Sequence, residues 1–196
     1  IKLSKNKLNF RFFNEKKNFK VMSMGRLVDQ KDFITFLKAI EIVKKRIKIK
    51  ALLIGSGILK KELEKYIKNN KLEKIIKKID FKKNPYKYLK FADVFILSSK
   101  FEGLPNVLLE AASLKVPIIS TDCNTGPREI LKGNKGGLLF KVGDSIKLAK
   151  KIIFAKSNYK VMKRKINFTN KNLYRFNKQS NLHKYLDVIK HHLNKY

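Results

Sequence analysis

Cysteine occurs once in this 196-residue chain, as Cys123. An internal disulfide and a cysteine-based metal site are therefore both excluded, which fits a reducing cytoplasm. Acidic residues are scarce, 15 against 47 Lys and Arg, for a formal charge of +32. Arginine is scarce as well: Arg11, Arg26, Arg46, Arg128, Arg164 and Arg175 are the whole set, and every other cation is lysine. Base and phosphate recognition favours the forked guanidinium, so charge this diffuse does not point to a specific nucleic-acid partner. No apolar run reaches the roughly 18–20 residues that cross a bilayer. The polar start, Ile1 to Lys7, carries no apolar leader with a small-residue cleavage site. His183, His191 and His192 lie together in the tail at spacings that form no metal constellation. No internal repeat is present.

What remains is enough to fold. With 43% hydrophobic and 11% aromatic residues, the chain can bury a core and does not read as a disordered polybasic tail. Its length suits one domain, or one domain and a tail. The lysines mostly coat solvated faces. A cationic surface also attracts anionic lipid head groups, at about 1 kcal/mol per well-placed Lys or Arg, so peripheral contact with the inner face of a membrane is an expectation beside a cytoplasmic location. The first residue is Ile rather than Met, which suggests a processed or truncated piece.

The hydrophobic period alternates between two and 3.6 along the chain. Residues 1–19 are polar with scattered Phe and read as a linker or lead-in. Phe19–Met24 reads as a buried strand ended by Gly25, and Asp32–Lys48 as an amphipathic helix with Phe33, Phe36, Leu37, Ile40, Val43 and Ile47 at spacings of three and four. Strands follow at Ile49–Ile54, Ile75–Phe81, Val94–Leu97, Pro117–Thr121 and Gly137–Phe140. Helical segments lie between them at Leu59–Asn70, Pro85–Phe91, Pro105–Leu114 and Pro127–Leu131. Asp144 caps a helix running to about Ala155, and Lys-rich helical segments follow, Tyr185–His192 being the clearest. Short apolar strands alternating with helices predict an α/β fold: a doubly wound, Rossmann-like parallel sheet of about six strands. In such sheets ligands bind beyond the carboxyl ends of the strands.

The chemistry-bearing residues all follow strands. Gly25-Arg26-Leu27 and Lys31 follow the first: two cations beside a tight turn and a helix start suit a diphosphate, or are two more surface charges. Gly55-Ser56-Gly57 follows the second, and is either a close backbone approach to a ligand or a plain turn. It lacks the third glycine of a dinucleotide fingerprint and the Gly-Lys-Ser/Thr of a P-loop. After the fourth strand comes Glu102-Gly103-Leu104-Pro105-Asn106-Val107, then Glu110. Pro105 opens a helix, and the amides of Gly103 to Val107 form an anion-binding helix N-terminus. Glu110 sits among Val107, Leu108, Leu109, Ala111 and Ala112. A Glu in such company needs a partner if buried, and a ribose diol could supply two hydroxyl hydrogen bonds; a capping or solvent-facing Glu is the plainer alternative.

Taken together these motifs resemble a known family. Glu102-Gly103-Leu104-Pro105…Glu110 is similar to the Glu-x7-Glu motif of retaining glycosyltransferases of family 4, which have the GT-B fold. Gly25-Arg26-Leu27…Lys31 resembles that family's donor-phosphate motif. Phe91–Ser99 resembles its strand entering the Glu-x7-Glu helix, and Gly133–Leu139 its later glycine-rich turn and strand. Thr121–Ile130 is similar to the Asp-Cys-x-x-Gly-Pro-Arg-Glu-Ile stretch of bacterial members that add N-acetylgalactosamine or related hexoses to lipid-linked glycans. Its Arg128 either faces the donor site or the cleft, or belongs to the cap of a short helix.

The resemblance covers roughly residues 20–155 and implies a nucleotide-sugar-binding domain there, one half of a GT-B fold, with a helical tail over 156–196. It implies that Gly25, Arg26 and Lys31 meet the diphosphate, and that Phe81 and Lys82, with Lys83 beside them, contact the base through the backbone. Glu110 would hold the ribose. Glu102, Gly103 and Leu104 would position the sugar, while Asn106 and Val107 face the phosphates. Arg26, Lys31 and Glu102 would be the catalytic set. No cofactor and no metal are implied, in keeping with the lack of an Asp-x-Asp triad; the substrate is a nucleotide-diphosphate sugar, with UDP the expected carrier. About 20 residues precede the first strand, too few for a second Rossmann half, so the half that binds a glycan or lipid-linked acceptor is expected to be missing, and its tail partner with it, leaving Tyr174, Phe176 and Tyr185 exposed. Competing readings are a non-transferase GT-B relative such as a nucleotide-sugar epimerase, and a non-catalytic basic module that binds anionic polymer or membrane. A pyridoxal-dependent phosphorylase finds no convincing lysine site.

Overall fold

Strand alternation sends side chains to both faces of one sheet, and helices cover both. The computed structural model of the chain describes residues 11–13, 17–123 and 125–177, and beyond these only 181, 182, 186, 189, 190 and 192. Six strands, β1 (Phe19–Met24), β2 (Ile49–Ile54), β3 (Ile76–Ile79), β4 (Val94–Leu97), β5 (Ile118–Thr121) and β6 (Leu138–Phe140), form a sheet in the order β3-β2-β1-β4-β5-β6. Every pairing is parallel, with Met24 opposite Ile54 and Val21 opposite Val94. The helices are α1 (Phe33–Val43), α2 (Lys60–Asn69), α3 (Tyr86–Leu89), α4 (Asn106–Ser113), α5 (Gly126–Ile130), α6 (Ser145–Ser157) and α7 (Tyr159–Lys171). The chain winds outward from β1 to β3, then returns to place β4 on the other side of β1. That reversal leaves a crevice at the carboxyl ends of β1 and β4, where the loops diverge.

The pleat divides the core in two. Val21, Ala51, Leu53, Val94 and Ile96 face one layer with Phe36, Leu37 and Ile40 of α1, Leu63 of α2 and Leu148 and Ile152 of α6. Met22, Leu52, Ile54, Phe95 and Leu97 face the other, with Leu89 of α3, Leu108 and Ala111 of α4 and Ile166 of α7. Both layers are apolar because both faces of a wound parallel sheet are buried. The few buried polar groups are bonded: Ser23 Oγ donates to the Ile96 carbonyl at 2.8 Å and Thr121 Oγ1 to the Ser99 carbonyl at 2.8 Å.

Several boundaries differ from those read in the sequence. α1 stops at Val43 rather than Lys48, because the chain turns through Lys44–Ile47 to enter β2. Its start is fixed by Asp32, whose carboxylate accepts from the Thr35 amide at 3.2 Å and its hydroxyl at 2.6 Å. β3 stops at Ile79 rather than Phe81. Asp80 is drawn aside by Lys60 and Lys78, both 2.9 Å away, and the Phe81 amide turns to donate to Ser56 Oγ at 3.1 Å. The lead-in contributes to the core: Phe13 is buried in the second layer with Phe12 packed beside it. The expected tail does too, since α7 buries Met162 and Ile166 under its lysine-rich outer face. Phe176 is partly buried against that layer, contrary to the exposure expected of it, whereas Tyr174 is exposed. Residues 1–10 of the lead-in, and Tyr185 with much of the segment expected to be helical around it, lie outside the described residues.

Gly55 shows how tightly the carboxyl edge is assembled. A Cβ there would stand 2.0 Å from the Gly25 carbonyl oxygen, so β2 can end against the β1 loop only without a side chain. Gly55→Ala is therefore expected to cost about 1–3 kcal/mol by overpacking, read as a fall of roughly 2–10 °C in Tm.

Candidate active site

A cleft of about 470 Å3 opens at the carboxyl edge of the sheet. It is lined by Met24, the last residue of β1, with Gly25, and by Ile54, the last residue of β2, with Gly55 and Ser56. One wall is Phe81, Lys82, Lys83, Pro85 and Tyr86 between β3 and α3. The other is Val107 and Glu110 of α4, and Arg26 stands at the mouth. The loops are stitched together: the Leu27 amide donates to the Ser56 carbonyl at 2.9 Å, and Ser56 Oγ receives the Phe81 amide.

The electrostatics are lopsided. Arg26, Lys82 and Lys83 are exposed, and none of their side chains has a hydrogen bond or ion pair among the described residues. The single acid in the lining is Glu110, half-buried, bonded to the Tyr86 hydroxyl at 3.2 Å. Burial pushes its carboxyl pKa above the usual 4.5, and the Tyr86 bond pulls back against that shift. Tyr86 in turn is raised above 10, by burial first and then by the Glu110 charge. A concave site with three free cations and one carboxylate set deeper offers phosphate attraction at the mouth and a hydroxyl acceptor inside. The amides of Asn106 and Val107, in the first turn of α4, have no acceptor among the described residues and add their positive end of the helix to the same edge.

Of the residues expected at the site, Gly25, Arg26, Phe81, Lys82, Val107 and Glu110 are brought together in this cleft. Lys31, Glu102, Gly103, Leu104 and Asn106 lie outside its lining. Lys31 and Glu102 pair with each other next to it, their side chains 15% and 7% exposed, and Ser99 Oγ donates to the same Glu102 oxygen at 2.6 Å. The two groups adjoin: a Cβ on Gly25 would touch the Lys31 stem at 3.6 Å. Gly103 and Leu104 form the exposed turn into α4, and a Cβ on Gly126 would collide with the Gly103 carbonyl at 1.8 Å, so α5 packs directly under that turn. Arg128 forks onto both carboxylate oxygens of Asp122, holding that acid below its ordinary pKa, and is not in the cleft lining.

Sequence reasoning missed Tyr86. Its signal was the proline-opened short helix after β3, which begins at Tyr86. The Lys31–Glu102 pair was also missed, because two residues 71 apart in sequence meet only through the β1–β4 pairing. Breaking a pair this buried strands a charge: Lys31→Met is expected to cost about 3–5 kcal/mol in urea unfolding, and Lys31→Met with Glu102→Gln to recover most of it.

Comparison with known proteins resolves what this edge belongs to. The family model for glycosyl transferases group 1 matches residues 4–172. The chain belongs to that family. An "Uncharacterized glycosyltransferase MJ1059" of Methanocaldococcus jannaschii is 40% identical over 117 residues, covering 59% of this chain and 29% of that protein. The N-acetylgalactosamine-N,N'-diacetylbacillosaminyl-diphospho-undecaprenol 4-alpha-N-acetylgalactosaminyltransferase of Campylobacter jejuni is 34% identical over 122 residues, covering 62% and 33%. The chain thus spans about a third of the length of these curated relatives. In fold it is similar to Anabaena HepE, solved with UDP: TM-score 0.79 at 20% identity, over 89% of this chain and 49% of that one. The sheet is accordingly a Rossmann-like α/β fold in a member of the glycosyl transferase group 1 family. Among the described residues no helix is long and apolar enough to cross a membrane, and no cluster of three or more His, Cys, Asp or Glu side chains is arranged to hold a metal ion.

Proposed function

We propose that this chain is the donor-binding half of a retaining glycosyltransferase that moves a hexose or N-acetylhexosamine from a UDP-linked sugar to a glycan or lipid-linked glycan. The observation that carries the reading is the cleft at the switch point of the sheet, whose lining brings Arg26, Lys82 and Lys83, unpaired among the described residues, together with a half-buried Glu110. In this reading Glu110 accepts the two ribose hydroxyls and the backbone of Phe81 and Lys82 meets the base. Arg26 and the first-turn amides of α4 take the diphosphate. As the bond between sugar and phosphate breaks, negative charge grows on the departing UDP, and fixed donors already aimed at it lower that barrier. Lys31 and Glu102 stand beside this point; Lys31 adds a second cation for the diphosphate and Glu102 a carboxylate for the sugar, with Gly103 and Leu104 shaping its turn and Asn106 at the phosphates. These cations carry the leaving-group charge without a metal or other cofactor.

The reading also assigns the acceptor to a second half facing this edge. Ile58, Phe81, Phe101 and Leu104 stand exposed on the loops after β2, β3 and β4, an apolar rim that a facing domain would cover. The Campylobacter relative acts on a diphospho-undecaprenol glycan, which favours a lipid-linked acceptor and a cytoplasmic protein held at the inner face of the membrane by its lysines. Calorimetry on the 196-residue chain with UDP, UDP-sugars and GDP-mannose tests the reading. Saturable one-to-one binding of UDP and of a UDP-sugar, with GDP-mannose weaker, is expected; a folded sample that binds no nucleotide would overturn it.

A further inference from the structure

Glu110 is held by one side chain among the described residues, the Tyr86 phenol, which donates to Oε1 at 3.2 Å. The two come from different elements, Tyr86 from the start of α3 and Glu110 from α4, and both line the cleft. The phenol's own backbone is fixed, since Asn84 Oδ1 accepts from the Tyr86 amide at 3.2 Å and Pro85 precedes it. Among the described residues Glu110 has no ion-pair partner to orient it. A carboxylate offers about four acceptor positions, so one phenol leaves room for two further hydroxyls.

We propose that Tyr86 is the positioning residue that orients the Glu110 carboxylate toward the ribose diol, and so sets this cleft's preference for ribonucleotides over nucleotides lacking those hydroxyls. This rests on the reading that Glu110 receives the ribose. A free glutamate side chain must give up rotational freedom when it binds a diol; one already tied to a fixed phenol has given it up in folding. The phenol also favours the ionised carboxylate, which burial alone disfavours. The other charged groups of the cleft are Arg26, Lys82 and Lys83. On its other side Glu110 borders a shallow pocket with Leu109, Ser113, Leu173, Phe176 and Asn177, none of which titrates, and Arg175 between them donates to the Asn172 and Glu129 carbonyls.

Calorimetry with UDP and with 2′,3′-dideoxy-UDP, on the 196-residue chain and its Tyr86→Phe variant, tests the proposal. The variant removes only a hydroxyl from a partly exposed ring, and a melting curve checks its fold. UDP affinity is expected to fall about three- to tenfold, the scale of one hydrogen bond, while dideoxy-UDP affinity stays within about twofold. The pH below which UDP binding fades should also move upward, because a group that favoured the carboxylate is gone. An equal fall for both ligands, or no fall with an unmoved pH dependence, would overturn the role of Tyr86. Glu110→Gln separates the two levels. If it keeps the wild-type ratio of UDP to dideoxy-UDP affinity, the ribose assignment fails and the Tyr86 role with it. If it abolishes that ratio while Tyr86→Phe keeps it, only the Tyr86 role fails.

Discussion

Glu110→Gln is expected to weaken UDP binding by about ten- to a hundredfold while leaving the fold as stable at pH 7 as before, or more so. The loss follows from replacing a charged acceptor of two hydroxyls by a neutral amide, when each hydrogen bond to a charged group contributes about 1.5–3 kcal/mol. The stability follows from the direction of the Glu110 shift. Burial raises its carboxyl pKa above 4.5, so between that ordinary value and the raised one the folded chain holds a proton that the unfolded chain has released. Stability therefore falls as pH rises through that window and stays lowered above it. The wild type carries this cost at pH 7 and the glutamine variant does not. Calorimetry and urea unfolding at pH 7, on the same samples, read both effects; a variant that loses affinity only because it unfolds would contradict the assignment.

Arg26→Ala is expected to weaken UDP by a similar factor, about ten- to a hundredfold, through loss of a charge-assisted contact to phosphate. Uridine, which has no phosphate, should bind the variant as it binds the wild type. The effect should shrink at high salt, where the wild type's advantage is screened. Arg26 is exposed and unpaired among the described residues, so its removal leaves no buried acid behind and should not move the melting temperature. A uniform loss with uridine and UDP alike would show that Arg26 shapes the cleft rather than meeting phosphate.

Most of the fold was legible because both of its periods are strong. The apolar runs at 19–24, 49–54 and 94–97 are buried on both faces, and their strand identity follows from length and from the glycine or serine that ends them. The boundaries were less legible where side chains from elsewhere decide them. Nothing local to Asp80 says that Lys60, 20 residues earlier, will join Lys78 in drawing it out of the strand. The lysine-rich stretch of α7 hides Met162 and Ile166, whose burial depends on the sheet beneath. The candidate site divided in the same way. Gly25, Arg26 and Glu110 could be placed at one edge because each follows a strand of a parallel sheet. That Lys31 would close on Glu102, and that Arg128 would fork onto Asp122 outside the cleft, depended on rotamers that spacing does not encode. Tyr86 escaped because a tyrosine in a short helix normally packs, and only its register at the strand ends turns the hydroxyl toward Glu110.

A crystal structure of this chain soaked with UDP tests the central claim most directly. The account predicts one nucleotide in the cleft after β1 and β2, its ribose hydroxyls on Glu110, its base against the backbone of Phe81 and Lys82 and its phosphates toward Arg26 and the start of α4. UDP bound at the opposite edge of the sheet, or a cleft still empty in crystals that diffract well and were soaked to saturation, would contradict it.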